Sequence, residues 1–449
     1  MARNRYNNYT NVMKYALAID IGASSGRHII GYKKNNEIVY EEIYRFPNGV
    51  KNVNGHLVWD VNALFKEILT GLKKAKTLNK IPDVIGIDTW AVDYALLDEN
   101  DKLIDCVYAY RDKRTEKSIP EVHKLLTHEE LYKLCGIQFQ PFNTIYQLYE
   151  DKMSGRLSKA KSFLMLPDYL HFLLTGVKKQ EYTNATSTSM VNADTKTWDK
   201  NILNKLGLNK DLFKELSNPG TVVGTFKEDI KEFLGYDAKV VLPATHDTAS
   251  AVEALDIKDE PYISSGTWSL LGLKVKDAIR DEKSHKGNWS NEGGPSYYRY
   301  QKNIMGMWLV QSLRNELCPN KGFIEIAELA RKSNFNGIVD VNNQDFLAPT
   351  SMKKVFDKHL NKTIKRNLEL GDYFRSAYLS LAYLYKESLY ELEENTGKIF
   401  HNLYIVGGGA KNSFLNELTE QMCQIKVVAL PIEATALGNL KILLNKLEE

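Results

Sequence analysis

Cysteine is scarce in this chain and scattered where it occurs. The 449 residues hold four, Cys106, Cys135, Cys318 and Cys423, with no C-x-x-C pair and no histidine cluster around them. That pattern argues against a zinc site or a disulfide framework and points to reduced thiols in a cytoplasmic protein. An excess of one charge is also missing. Lys and Arg number 59 against 56 Asp and Glu, a formal +3, which gives no electrostatic case for a nucleic-acid partner or an anionic membrane. No apolar run approaches the roughly 20 residues of a membrane span. The opening MARNRYNNYTNVMK lacks the apolar core of a signal peptide and reads as a disordered polar leader over residues 1–14. No low-complexity run or charged linker divides the rest. The length exceeds what one core usually serves. Two domains, 15–245 and 246–449, are therefore expected to pack together with a cleft between them.

What is present is an alternation of strands and helices. Tyr15–Ile21 reads as a buried strand that carries Asp20 into the small-residue turn Gly22, Ala23, Ser24, Ser25 and Gly26, followed by Arg27. Such a turn lets backbone N–H groups approach a phosphate, and a carboxylate beside it can hold the phosphate's magnesium ion. It is equally an ordinary hairpin. The pattern recurs, however, in PYISSGTWSLLGLK (residues 261–274), so each half of the chain offers a candidate phosphate loop. Asp60 is placed to cap a helix with Val61, Leu64, Phe65, Ile68 and Leu72 on one face. Val84–Trp90 is a second strand ending in a carboxylate. Phe163–Gly176 reads as an amphipathic helix and Glu181–Asn192 as a Ser/Thr/Asn-rich loop. Asp372 opens a long helix that stops near Gly397, and Asn402–Ala410 is a strand running into three glycines.

The most reactive-looking group lies at the expected boundary. LPATHDTASAV (residues 242–252) places His246 and Asp247 after a strand and before a helix of small residues. Transfer of a phosphoryl group to an alcohol needs charge neutralisation, in-line positioning and a base near the hydroxyl. Asp247 suits the base and His246 a donor to a substrate hydroxyl. The spacing equally suits an Asp247 that only caps the helix and a buried structural His246.

AIDIGASSGR, GIDTWAVDYALLD, YRD, THDTASAV, YISSGTWSLLG, NIMGMWLVQ, VGGGAKNSFLN and EATALGN follow the order and spacing of the FGGY family of carbohydrate kinases. The chain resembles that family from about Tyr15 to its C-terminus. The resemblance implies an α/β fold of two ribonuclease-H-like domains of the actin-like ATPase class, each a mixed sheet flanked by helices. It also implies an interdomain cleft for ATP. Ala23, Ser24, Ser25, Gly26 and Arg27 would form the first phosphate loop, with Asp20 near Mg2+, held through water. Thr267 would face the γ-phosphate, Asn303 and Gln311 match nucleotide-contacting positions, and Gly408 matches the adenosine loop. Asp247 matches the catalytic base, and Trp90, Ala91, His246 and Thr248 match sugar contacts. Asp93 is a candidate hydroxyl acceptor.

Within that family, DTWAVD and SSGTWSLLG resemble the kinases of L-rhamnulose more than those of glycerol or xylulose, which implies L-rhamnulose as the acceptor. The products would then be L-rhamnulose 1-phosphate and ADP. Ala91 departs from the family pattern, which has glycine there, and this bears on the exact ketose. L-Fuculose, L-ribulose and D-xylulose remain alternatives, as, more remotely, does an actin-like ATPase working as an interaction machine. IVGGGAKNSF does not complete a dinucleotide fingerprint, since its third glycine slot is empty and it lies at the wrong end of the chain. A monomer or small homo-oligomer is expected.

Overall fold

The computed structural model describes residues 13–347, 349–360, 367–430 and 433–449, so the leader expected over 1–14 lies outside it except for Met13 and Lys14. Two six-stranded sheets are built on nearly the same plan. In the first half, β1 (Ala16–Ile21), β2 (Ser25–Lys34) and β3 (Glu37–Pro47) form an antiparallel meander. Helix α1 (Val61–Thr77) follows, then β4 (Val84–Thr89) parallel to β1. Helix α2 (Leu166–Thr175), β5 (Val222–Thr225) and β6 (Lys239–Val241) complete that half, with β6 parallel to β4 and β5 at the edge. Helix α3 (Asp247–Glu253) leads into the second half.

There β7 (Tyr262–Ser265), β8 (Trp268–Val275), β9 (Ser290–Gly293) and β10 (Tyr298–Met305) are antiparallel. Helices α4 (Trp308–Leu317) and α5 (Leu370–Thr396) precede β11 (Asn402–Val406), which runs parallel to β7, and β12 (Lys426–Ala429), parallel to β11. Helix α6 (Ala434–Glu448) closes the chain. The first sheet thus joins three antiparallel strands to two parallel ones, with the antiparallel β5 at its edge, and the second joins four antiparallel strands to two parallel ones.

The alternation along β1 explains the layering. Leu17, Ile19 and Ile21 join Leu64, Ile68 and Leu72 of α1 in one core. Ala16 and Ala18 point to the opposite face and meet Ala436, Leu440, Leu443 and Leu444 of α6. Their small side chains let the last helix of the chain lie on the first sheet. Asp60 caps α1 through Ala63 N (2.9 Å), and Gly397 ends α5 in the left-handed conformation, both at positions the sequence marks.

Two expectations change. The run from Phe163 begins as a strand, Ser162–Met165, and turns helical only at Leu166, because Pro167 lacks an N–H and favours a helix's first turn over its interior. The Ser/Thr/Asn-rich stretch is a loop only in part. Glu181 caps a short helix, Tyr182–Thr186, before the chain returns to turns, and all of the stretch but the half-buried Asn192 is buried. Its hydroxyls find carbonyl partners within it, Thr186 to Thr183 and Thr188 to Ala185, so a loop-like composition survives burial.

Helix α6 also crosses α3 closely, since a Cβ at Gly438 would come within 1.7 Å of the Ser250 carbonyl oxygen. Gly438→Ala should therefore lower the melting temperature. Overpacking costs about 1–3 kcal/mol, more than the ~1 kcal/mol that alanine gains over glycine in a helix. Thermal unfolding decides it; a raised melting temperature would mean that the two helices are not in close contact.

Candidate active site

The first phosphate-loop candidate is a closed turn. Gly22 N donates to Ser25 O at 2.9 Å, and Asn48 grips the turn from beyond β3, with Nδ2 on Gly22 O at 2.8 Å and N on Ser24 O at 2.9 Å. Ala23 is half-buried, Ser24 exposed and Ser25 half-buried, while Gly26 is buried opposite Phe46. Arg27 sits across from Asp20 in the β1–β2 register and donates to its Oδ2 from Nε at 2.9 Å and Nη2 at 2.8 Å. It also pairs with Glu433, just before α6. Here the guanidinium neutralises the strand-end carboxylate.

Asp20 has a second carboxylate beside it. Asp88 occupies the matching position on parallel β4. Beyond Asp88, Thr89 N donates to Thr245 O at 3.0 Å, which seats the His246–Asp247 turn against the same sheet edge. Burial pushes Asp20 above the usual carboxylate range, with Arg27 opposing and the Asp247 charge adding to the rise. Burial and the neighbouring Asp20 charge push Asp88 well above it. Asp88 Oδ2 accepts from Asn439 Nδ2 at 2.6 Å, while its Oδ1 is buried without a partner.

These are the marks of a place built for a cation. A guanidinium already serves Asp20, and an acceptor oxygen nearby goes unused. Among the described residues no group of three or more His, Cys, Asp or Glu forms a metal cage. Magnesium does not need one, because it keeps several waters and binds through one or two carboxylates and substrate phosphates. The residues fit Mg2+ carried in with a nucleotide.

At the turn expected to contact the acceptor, Trp59 and Trp90 lie ring to ring at 4.1 Å, and Tyr110 and Phe142 extend the aromatic surface. Asp93 is fully buried. Its Oδ2 accepts from Trp59 Nε1 at 2.6 Å, Trp90 Nε1 at 2.8 Å and Tyr110 N at 3.1 Å, and its Oδ1 from Gln147 Nε2 at 3.3 Å. Burial pushes its carboxyl up to about 6 against those donors. The expectation for Asp93 was a hydroxyl acceptor; in this arrangement its donors are the aromatic floor. Ala91 is half-buried, and the left-handed residue of the turn is its neighbour Val92, with φ of 68°. A β-branched residue there stores about 1–3 kcal/mol of strain. Ser187 Oγ on Val92 N and Thr144 Oγ1 on Val92 O (2.7 Å) hold it in place.

Asp247 is the first residue of α3 and His246 its N-cap, which makes no side-chain cap bond. Asp247 Oδ1 accepts from Thr248 N at 2.6 Å and Thr248 Oγ1 at 3.2 Å. Its Oδ2 has no hydrogen-bond partner among the described residues, and the side chain is 31% exposed. Thr245 is anchored from behind, donating to the buried Glu181 from Oγ1 at 2.6 Å and N at 3.2 Å.

The second hairpin is tied to α4. Met307 N donates to Gly266 O at 2.9 Å and Trp308 N to Thr267 O at 3.0 Å, leaving Thr267 exposed. Gln311 lies one turn into α4, and Asn303, on β10, keeps a buried Oδ1 without a partner. The three glycines after β11 differ in role. A Cβ on Gly407 (φ 84°) or Gly409 would strike Ser265, whereas Gly408 is exposed over open space. Sequence reading had noted the Asp88 carboxylate without assigning it. Tyr110 lies in the quoted YRD and Glu433 and Asn439 in EATALGN, but no role was assigned to them, and Asn48 and Trp59 have no signal except proximity in space.

Residues 15–253 match the N-terminal domain, and residues 261–444 the C-terminal domain, of the FGGY family of carbohydrate kinases. The chain is 47% identical over 433 residues to the rhamnulokinase of Halalkalibacterium halodurans, covering 95% of this chain and 92% of that one. It is 43% identical over 431 residues to the rhamnulokinase of Oceanobacillus iheyensis, covering 94% and 91%. Among solved structures, gluconate kinase from Lactobacillus acidophilus superposes with a TM-score of 0.80 at 18% identity, covering 97% of this chain and 90% of that one. Plasmodium falciparum glycerol kinase with ADP gives 0.79 at 16% identity, with the same coverage.

The Asp20–Asp88 pair sets a pH dependence. An acid whose folded-state pKa lies above its unfolded value near 3.8 binds more protons folded than unfolded, so its contribution to stability falls as pH rises above that value. Asp88→Asn removes the loss and gives the unused Oδ1 position a donor facing Asp20. The ligand-free variant should melt higher than the parent, with a gain larger at pH 8 than at pH 5. A gain independent of pH would rule out ionisation of Asp88 as the cause.

Proposed function

This chain belongs to the FGGY family of carbohydrate kinases, and from that premise we propose that it transfers the γ-phosphoryl group of ATP to the 1-hydroxyl of L-rhamnulose. The observation that carries the chemistry is the position of Asp247, whose partnerless Oδ2 stands at the head of α3 on the sheet edge that bears Asp20 and Asp88. The likeness to rhamnulokinases over about 95% of the chain supports the acceptor.

In this reading Asp247 takes the hydroxyl proton as the sugar oxygen bonds to the γ-phosphorus and the bond from that phosphorus to the bridging β–γ oxygen breaks, releasing ADP. Backbone N–H groups of Ala23 to Arg27 and the Thr267 hairpin receive the phosphates. Arg27 exchanges part of its bond to Asp20 for phosphate oxygen. Magnesium, when bound with ATP, neutralises phosphate charge, and Asp20 would hold it through water. Asn303, Gln311 and Gly408 receive the nucleoside. Trp90, Ala91, His246 and Thr248 line the sugar side, with the Trp59–Trp90 pair fixed by Asp93. The sugar and first phosphate loop fall to residues 15–245, the second phosphate loop and adenosine loop to 246–449. No helix among the described residues is long and apolar enough to cross a membrane. We propose a cytoplasmic enzyme, monomeric or a small homo-oligomer, whose partners are small molecules.

A second reading, another ketose of the same family, is favoured by alanine at position 91 beside the strained Val92. ADP release from MgATP, measured with L-rhamnulose, L-fuculose, L-ribulose, D-xylulose and glycerol, separates the two. L-Rhamnulose should be preferred, and Asp247→Asn should lose about 10²–10⁴ of turnover while still binding ATP. Preference for another ketose moves the specificity to that sugar. ATP turnover indifferent to every sugar would sink the kinase reading, and near-normal turnover in the variant would remove Asp247 as base.

A further inference from the structure

Behind His246 lies a buried charged cluster that the reaction above leaves unused. Glu292 on β9 and Arg299 on β10 are register partners in the second sheet. Arg299 is fully buried. Its Nε donates to Gly293 O at 3.1 Å, and its Nη2 lies 3.2 Å from Glu292 Oε2 and donates to His246 Nδ1 at 3.2 Å. Glu292 Oε2 is itself 3.2 Å from that Nδ1. On the other side of the ring, His246 Nε2 faces Asp247 Oδ1 at 3.4 Å.

The two neighbours of Nδ1 make opposite demands. A carboxylate can only accept, so Glu292 asks for a proton on Nδ1. A guanidinium can only donate, so Arg299 asks for a lone pair there. Geometry favours the arginine: its Nη2 is within hydrogen-bonding distance and direction of Nδ1, whereas Glu292 Oε2 receives no hydrogen bond. We infer that Arg299 is a positioning residue of this site, which by donating to His246 Nδ1 places the imidazole proton on Nε2, the nitrogen that faces Asp247.

Arginine does not lose its proton in proteins, so toward Nδ1 it can only donate. Glu292 makes the buried guanidinium tolerable. Burial alone would raise Glu292, but the Arg299 guanidinium opposes it, and the carboxyl is held down at about 2. The protonated Nε2 then lies 3.4 Å from Asp247 Oδ1, the oxygen that already receives Thr248 N, and leaves Oδ2 for the incoming hydroxyl. The donor belongs to the second sheet and the imidazole to the head of α3, inside the residues 15–253 that match the N-terminal family domain, so the contact joins the two matched domains. Its catalytic meaning rests on reading Asp247 as the base; the position of the proton does not.

Imidazole ¹⁵N spectra of the ligand-free full-length protein test it, with the His246 signals identified by their loss in His246→Gln. The proton should sit on Nε2 in the parent and stay there in Glu292→Gln, which keeps the arginine. A proton on Nδ1 in the parent, or one that moves in Glu292→Gln, overturns the inference. Because a lone Arg299 variant would leave Glu292 buried and unpaired, the kinetic arm uses Glu292→Gln/Arg299→Met, which removes the ion pair together. That variant should show mixed tautomers and a kcat with L-rhamnulose lower by on the order of 10–100-fold, with KM for ATP unchanged. Added to His246→Gln it should cost nothing further, since it acts through that ring. Full additivity, or a kcat near the parent's with the tautomer retained, overturns the inference. The spectra need no turnover, so failure of the Asp247 reading would appear separately, as activity retained in Asp247→Asn.

Discussion

Two carboxylates side by side at the ends of adjacent parallel strands, both buried, are the constraint on which this structure turns. Asp20 and Asp88 share one register position of the first sheet, and burial penalises the charge of each. A protein selected only for stability would put neutral residues there. This one surrounds the pair with compensation brought from distant sequence. Arg27 comes from the neighbouring strand, and Glu433 and Asn439 come from the other end of the chain. The return of α6 to the first sheet therefore serves more than apolar burial, since it also delivers Asn439 to Asp88. The small residues Ala16, Ala18 and Gly438 make that return possible, because the helix must come close for a short amide to reach.

The turn that carries Trp90 is held by a different device. Asp93 gives no oxygen to solvent and instead fixes two indoles, so the orientation of Trp90 depends on a buried carboxylate rather than on packing alone. The turn that carries Trp90 is strained at Val92, and hydroxyls of Ser187 and Thr144 hold it. Those hydroxyls belong to segments that look like unremarkable loop or helix start in one dimension. The buried Glu181 similarly braces Thr245, one residue before His246. Polar residues that composition assigns to the surface thus form the inner support of the site.

Much of this was legible beforehand. The two strand–turn–strand repeats, the Asp60 cap, the long helix ending at Gly397 and the glycine run after β11 all depend on residues close in sequence, where propensity and spacing speak directly. The family resemblance covered nearly the whole chain because its motifs are local and ordered. Less legible was the stretch from Glu181, whose Ser, Thr and Asn satisfy one another in the interior and so need no water. The strand before Leu166 was also missed, because an apolar run of that length fits a helix or a strand until Pro167 is weighed.

The sequence by itself therefore determined the alternation of strands and helices, the two hairpins, and the chemical kind of each site residue, since these follow from neighbours along the chain. Only the tertiary structure decided which charges meet. Arg27 lies against Asp20 through strand pairing, Asn439 reaches Asp88 through helix packing, and Arg299 reaches His246 across the two matched domains. The protonation and orientation of a buried group depend on its three-dimensional neighbours and on the water they exclude. Neither is written in the spacing of residues along the chain.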